Sequence, residues 1–226
     1  MLIDKPKEKI KFCIVGSGIN CCIFSKMLIE NNFPKPVLVT WKKEKHKRDK
    51  QLLSSYDYYQ DIFSFCGDNS ILLIEASNVN DKETISKLKS LKVDIVFSIS
   101  SRWIIKKNTI DQFNGLVINL HQGDLPLERG SVIYQRIMNN NNSIGVSLHM
   151  ITPGIDEGNI LYKETRMIED KNHTISNVNN INIQLTKNIF KNFISDLIER
   201  KNIKEEKQNN NKNIYMPQFY SEINGA

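Results

Sequence analysis

Residues 93–121, VDIVFSISSRWIIKKNTIDQFNGLVINLH, decide how this chain folds. Two runs rich in β-branched residues, Val93 to Ser100 and Gly115 to Leu120, flank a segment from Lys107 to Phe113 that reads as a short helix. The runs are continuously apolar rather than alternating, so each strand is expected to be covered on both faces. Strand, helix and buried strand in that order imply a parallel pair joined by a right-handed crossover. One detail falls outside strand packing. The second run leads into Asn119 and His121, which share a face because side chains alternate along a strand. Asn is poorly suited to a strand interior, and open α/β sheets bind ligands at the carboxyl ends of their strands.

The same alternation extends toward the N-terminus. IKFCIVG (10–16), PVLVTW (36–41) and SILLIE (70–75) read as strands. Between them, GINCCIFSKMLIENN, DYYQDIFSF and, opened by Asp81, DKETISKLKSLK read as helices. Toward the C-terminus the order changes. SVIYQRIMN (131–139) reads as a helix, and NSIGVSLHMI and NILYKETRMI as two strands joined so closely that they form an antiparallel pair. Thr174 to Arg200 places Val178, Leu185, Ile189, Phe193 and Leu197 on one stripe of a long amphipathic helix. The expected fold is α/β: a Rossmann-like open, mostly parallel sheet with an antiparallel C-terminal strand pair and a long C-terminal helix. Residues 1–203 read as one domain. Within 204–226, KEEKQNNNKN reads as a polar, mobile linker, and the aromatic IYMPQFYSEINGA as a segment packing back on the core or on a partner subunit.

The 226 residues carry a net charge of +6, much of it in KKEKHKRDK (42–50). That run reads as a solvated loop or, more sharply, as a site for a phosphate-bearing small molecule. Without an arginine-rich arm, zinc spacing or interleaved aromatics, no nucleic-acid partner is expected. Cys13, Cys21, Cys22 and Cys66 are spaced neither as a disulfide framework nor as a metal site, so no metal is expected. MLIDKPKEKIKF lacks the apolar stretch of a signal peptide, and nothing later reads as a membrane span. The expectation is a reduced, cytoplasmic protein with no membrane partner.

Two further clusters stand at strand ends. Gly16, Ser17 and Gly18 lie between the first strand and its helix, where amides at a helix N-terminus suit an anion. A plain tight turn explains them equally well. The third glycine of a dinucleotide fingerprint is missing, as is an acidic residue closing the second strand, which disfavours a nucleotide-dependent dehydrogenase. TPGIDEG (152–158) sets Asp156 in a glycine-bounded turn.

Taken in order, INLHQGDLPLERG, then Tyr134-Gln135, then GVSLHMITPGIDEGNIL resemble the N10-formyltetrahydrofolate-dependent formyltransferases. The shared features are Asn-x-His at a strand end, a Leu-Pro loop with Arg-Gly, and Asp-x-Gly after a Gly-Val-Thr-x-His-like strand, with Ser147 standing where Thr is usual. The resemblance implies catalytic roles for Asn119, His121 and Asp156. Asn119 would donate to the tetrahedral oxyanion, His121 would take the amine's proton, and Asp156 would hold the imidazole or relay protons to the leaving nitrogen. It also implies that the pterin of the co-substrate, N10-formyltetrahydrofolate, lies against Ser101, Arg102, Trp103, Ile104 and Ile105 and against Ile151, Gly154 and Ile155. Simple core packing is the alternative for Trp103.

Three branches of the family differ in the amine they formylate. Those acting on methionyl-tRNA carry a further C-terminal domain, whereas this chain stops at Ala226, soon after its last long helix. Those acting on glycinamide ribonucleotide are of similar length, and Gly16 to Asn20 is similar to their phosphate loop. Their loop after the catalytic His usually reads Pro-Ser-Leu-Leu-Pro, however, not Gln122-Gly123-Asp124-Leu125-Pro126. Those acting on nucleotide-linked amino sugars share the Arg129-Gly130 loop and a late Tyr-x-Pro with an Ile-Asn-Gly-like ending, here Tyr215, Pro217, Ile223, Asn224 and Gly225. This third resemblance implies a dTDP-amino sugar acceptor, a role in O-antigen or other surface polysaccharide synthesis, and a possible homodimer. By location, Arg129 is expected at the diphosphate, Gln122 and Tyr134 at sugar hydroxyls, and Gly16, Ser17, Gly123 and Gly130 at the substrate. A formyltetrahydrofolate deformylase would use the same three catalytic residues with water replacing the amine, and a non-catalytic folate or nucleotide-binding module would use none of them for chemistry.

Overall fold

The computed structural model describes residues 1, 3–132, 143–168 and 174–209, with the backbone of a strand at 214–216. The helix expected over 131–139, with Tyr134, falls largely outside the described residues, as does most of the aromatic tail. Five parallel strands, β1 (Phe12–Gly16), β2 (Val37–Trp41), β3 (Leu73–Ala76), β4 (Ile95–Ile99) and β5 (Val117–His121), form most of the main sheet. A short β6 (Glu128–Gly130) lies apart, and β7 (Ser143–Met150) and β8 (Ile160–Met167) complete the sheet in the order β3-β2-β1-β4-β5-β7-β8. Strand β7 is antiparallel to both β5 and β8, so the late pair closes one edge as expected. A second sheet of two strands pairs β6 in parallel with β9 (Ile214–Met216).

Continuous burial of β1 and β4 follows from cover on both faces. On one face, α1 (Ile19–Glu30) and the long α6 (Ile175–Ile198) bury Phe24, Phe190 and Phe193 against Phe12 and Phe97. Phe24 stacks on Phe190 with ring centroids 4.4 Å apart, a contact worth about 0.5–1.5 kcal/mol beyond area burial. On the other face, Leu88 of α4 (Lys82–Ser90) and Ile110 of α5 (Lys107–Gln112) cover Cys13, Val15, Val96 and Val117. Among the described residues, no helix is long and apolar enough to cross a membrane.

Three local expectations need correction. The run Lys42 to Lys50 is not a loop: it forms a 3-10 turn and then α2 (Lys47–Leu53), both exposed. The helix expected over DYYQDIFSF begins later, as α3 (Ile62–Asp68). Asp61 ends the preceding loop by accepting the Phe63 and Ser64 amides at 2.9 and 3.1 Å, which fixes an N-cap rather than a helix interior. Residues 204–208 are tied down where a mobile linker was expected: Glu206 forms a two-way backbone bridge to Ile160 at 2.8 Å, and Gln208 is buried.

The glycine cluster after β1 shows why the strand ends lie so close together. Gly16 has φ +144°, and a Cβ there would fall 1.8 Å from the Ile99 carbonyl oxygen at the end of β4. Gly16→Ala is therefore expected to cost about 2 kcal/mol or more, from combined strain and overlap, read as a lower urea midpoint with an unchanged slope.

Candidate active site

Strand pairing builds the centre. In the β5–β7 register Asn119 faces His149 and His121 faces Ser147, so the alternation that exposes Asn and His on β5 brings up Ser and His on β7. The turn after β7 then folds back over this face and delivers Asp156, held at φ +52°.

The Asp156 carboxylate is the hub. Oδ2 accepts the Gly130 amide at 2.9 Å and lies 3.4 Å from His121 Nδ1. Oδ1 lies 3.4 Å from both His149 Nε2 and Asn119 Nδ2. Burial pushes its pKa up, but the adjacent His149 and His121 imidazoles and the Gly130 amide outweigh that and bring it down to about 2. A buried carboxylate is thus kept ionised beside two imidazoles.

Hydrogen bonds to carbonyls fix the ring nitrogens. His121 Nε2 lies 2.7 Å from the Glu128 carbonyl, so it carries hydrogen, and Nδ1 is the nitrogen that faces Asp156. His149 Nδ1 donates to the Met150 carbonyl at 2.8 Å, leaving Nε2 as an acceptor 3.1 Å from the Asn119 amide nitrogen.

The loop from Gln122 to Arg129 holds His121. The buried Ser147 hydroxyl donates to the Gly123 carbonyl at 2.8 Å and accepts the Leu125 amide at 3.2 Å. Glu128 Oε2 accepts the Asp124 amide, and Lys163 pairs with Asp124 at 2.9 Å. The Leu125–Pro126 peptide is cis.

Three cavities meet at this centre. One of about 160 Å³ is walled by Trp103, Ile104, Ile105, Ile151 and Ile155, with Asn119, His149 and Asp156 at its inner end. A middle one of about 300 Å³ holds Asn119, His121, Gly130 and Asp156. The third, of about 320 Å³, lies over Ser17, Gly18 and Asn20 with Trp41, Tyr58, Tyr59 and Phe63 around it. Ser101, Asn119 and Asp156 line both the first and the middle cavity; Ser100 and Gln122 line both the middle and the third.

The family model described as "Formyl transferase" matches residues 8–194. This chain belongs to the formyl transferase family. Methionyl-tRNA formyltransferase of Campylobacter jejuni is 31% identical over 168 residues, which are 73% of this chain and 52% of that protein. The Finegoldia magna enzyme of the same name is 32% identical over 90 residues, 39% of this chain and 29% of that one. The chain spans at most about half the length of these curated relatives. Among solved structures, WlaRD, described as a sugar 3N-formyl transferase with dTDP and 5-N-formyl-THF present, superposes with a TM-score of 0.72 at 27% identity, covering 92% of this chain and 70% of that one. The phosphoribosylglycinamide formyltransferase of Bacillus halodurans shares the fold, with a TM-score of 0.69 at 18% identity over 83% of this chain and 95% of that one.

Set on this formyl transferase fold, the expected residues divide. Asn119, His121 and Asp156 come together. Ser101, Trp103, Ile104, Ile105, Ile151, Gly154 and Ile155 all line the 160 Å³ cleft. Arg102 does not; it lies exposed over the Trp41 ring, 4.9 Å from its centroid. Ser17 and Gln122 line the third cavity, while Gly16 packs against β4 instead. Gly130 lines the middle cavity, and its amide holds Asp156. The expectation of Arg129 at a diphosphate does not fit its placement. Its side chain is 4% exposed and turned inward, to Gln208 at 2.8 Å and Glu157 at 3.5 Å. Gly123 is a packing requirement, since a Cβ there would lie 2.3 Å from His121 Nε2. Sequence reading gave no role to His149 or Gln208. The first carried a signal, because Ser147 and His149 repeat on β7 the alternation of Asn119 and His121; the second sits in a run whose composition reads as linker.

Two outcomes follow. The folded pKa of Asp156 lies below its ordinary value of 3.8, so its stabilisation is fully present above that value and is lost as pH falls through about 2. Between about pH 5 and pH 2 the wild type is expected to lose on the order of 2 kcal/mol more stability than Asp156→Asn, measured by urea unfolding. Gly123→Ala, whose Cβ would meet both the His121 ring and the Glu128 carbonyl oxygen, is expected to lower turnover about 10- to 100-fold and to lower the urea midpoint as well, because the backbone must also give way.

Proposed function

We propose that this chain transfers the formyl group of N10-formyltetrahydrofolate to the amine of a nucleotide-linked amino sugar, with dTDP-4-amino-4,6-dideoxyglucose as the first acceptor to test. One observation carries the reading: the three cavities join end to end through shared residues, with the catalytic trio in the middle. The narrow cleft, where Trp103 and four isoleucines stand among Ser98, Ser101, Thr152 and Asp156, fits a flat pterin with a fixed donor and acceptor edge. The third cavity suits a nucleoside diphosphate. Its aromatic rim offers stacking faces for a base, which glycinamide ribonucleotide does not have. Below the rim, α1 opens at Gly18 with no side-chain cap, leaving its first amides for phosphate oxygens. Asn20, 3% exposed, lines this cavity with its carboxamide oxygen lacking a protein partner. WlaRD is described with dTDP, and the Helicobacter canadensis N-formyltransferase, with a TM-score of 0.71 at 22% identity over 92% of this chain and 71% of its own, with dTDP-3-aminofucose. A role in surface polysaccharide synthesis in the cytoplasm belongs to the same reading.

In the reaction, the neutral amine attacks the formyl carbon and the carbonyl oxygen becomes an oxyanion. The Asn119 amide donates to that oxygen, a contribution of about 2.7–4 kcal/mol when the donor is already in place. His121 takes the amine proton at Nδ1, and Asp156 stabilises the resulting imidazolium. Collapse breaks the bond from the formyl carbon to N10, and that nitrogen takes the proton from the His121 imidazolium and leaves as tetrahydrofolate.

The test mixes protein and N10-formyltetrahydrofolate with dTDP-4-amino and dTDP-3-amino sugars, UDP-4-amino-arabinose, glycinamide ribonucleotide or no acceptor. Mass spectrometry then reads one added formyl group. A single nucleotide sugar is expected to gain it, with a loss of about 10²- to 10⁴-fold in His121→Asn and Asp156→Asn. Formylated glycinamide ribonucleotide would move the assignment to that branch, and tetrahydrofolate release without acceptor would make the chain a deformylase. No turnover and no folate binding would sink the reading.

A further inference from the structure

Gln208 lies outside the segment matched by the family pattern and outside every cavity wall described above, yet its carboxamide joins the turn that carries Asp156 to Arg129 on β6. Nε2 donates to the Asp156 carbonyl at 2.9 Å and to the Gly158 carbonyl at 2.7 Å. Oε1 accepts from Arg129 Nη2 at 2.8 Å. An amide nitrogen has two hydrogens, and both are used on carbonyls that bracket the turn. The reversed amide would face two carbonyls with an oxygen and a guanidinium with an NH2 group, so the orientation is fixed by its partners. Gln208 is 6% exposed, and the chain leading to it is anchored by the Glu206–Ile160 bridge.

This clamp acts where the backbone needs it. Asp156 is a non-glycine residue at φ +52°, a conformation that costs about 1–3 kcal/mol unless its surroundings impose it. Gln208 holds the carbonyl of that same residue. Its partner Arg129 precedes Gly130, whose amide holds the carboxylate. The two ends of Asp156, main chain and side chain, are thus fixed by one connected set of residues.

We infer that Gln208 is a positioning residue for catalysis, setting the Asp156 carboxylate against His121, His149 and Asn119 from outside the walls of the three cavities. The inference rests on the formyl-transfer reading for its kinetic readout, but not for its spectroscopic one. The groups facing the Asp156 carboxylate are Asn119 and His121 from β5, His149 from β7 and the Gly130 amide from β6, with Arg129 and Glu157 behind the clamp.

The test compares wild type with Gln208→Met, which keeps the length and loses every hydrogen bond. With the acceptor found in the assay above, kcat is expected to fall about 10- to 100-fold, while KM for both substrates stays within about threefold. In protein labelled with 15N-histidine, the ring resonances of His121 and His149 are expected to move, while that of His46, stacked on Trp41, stays in place. Unchanged kcat with unmoved His121 and His149 resonances would overturn the inference, as would a rise in KM alone. If wild type formylates nothing, the functional reading fails by itself and the imidazole resonances still decide the positioning. Should Gln208→Met not fold, Gln208→Asn takes its place with the same readouts, since it keeps the amide but withdraws it by one methylene.

Discussion

The site depends on an ionised carboxylate kept in a place that should discourage charge. Asp156 has a side chain 14% exposed, among strand ends, where burial alone would favour the protonated acid. Charge persists there because four polar groups, two of them N–H donors, converge on two oxygens, and no single element could supply them. Asn119 and His121 come from β5, His149 from β7 and the Gly130 amide from β6. Removing any of these strands' registers would leave a buried charge short of partners, a penalty of several kcal/mol.

That requirement explains the reversed strand in an otherwise parallel sheet. Running β7 antiparallel places His149 beside Asn119 and Ser147 beside His121 in one register. The same strand then feeds a turn short enough to fold over both. Gly158 permits this, since a Cβ there would lie 1.8 Å from the Met150 carbonyl oxygen.

Much of this was legible in the sequence, and the limits are physical. Continuous apolar runs gave the parallel strands, because burial on both faces writes itself into every position. Asn119 and His121 stood out because polar side chains on one face of a buried strand need a reason. Arg129 was misjudged because a guanidinium near a ligand loop has the same sequence appearance whether it faces a phosphate or turns inward to Gln208 and Glu157. Gln208 was invisible for the converse reason. Its neighbours are Lys, Glu and Asn, and a polar run says nothing about which member is buried when the anchoring contacts are long-range. Asp61 could have been placed better, since an Asp immediately before Ile-Phe-Ser is a recognisable cap.

The second imidazole bears on how Asn119 can act on a developing oxyanion. With its Nδ1 hydrogen committed to the Met150 carbonyl, His149 meets Asn119 through a lone pair, which requires the amide nitrogen, not the oxygen, on that side. One Asn119 hydrogen is then held at 3.1 Å by His149, and the other reaches Asp156 at 3.4 Å, the longer and weaker of the two. The geometry therefore anchors one hydrogen firmly and leaves the second the easier to redirect. In the proposed reaction, an oxygen gaining negative charge in the middle cavity would compete for that second hydrogen while an imidazolium forms at His121 beside Asp156. Such a transfer of charge would need no strand to shift, which is what preorganised sites obtain from fixed dipoles.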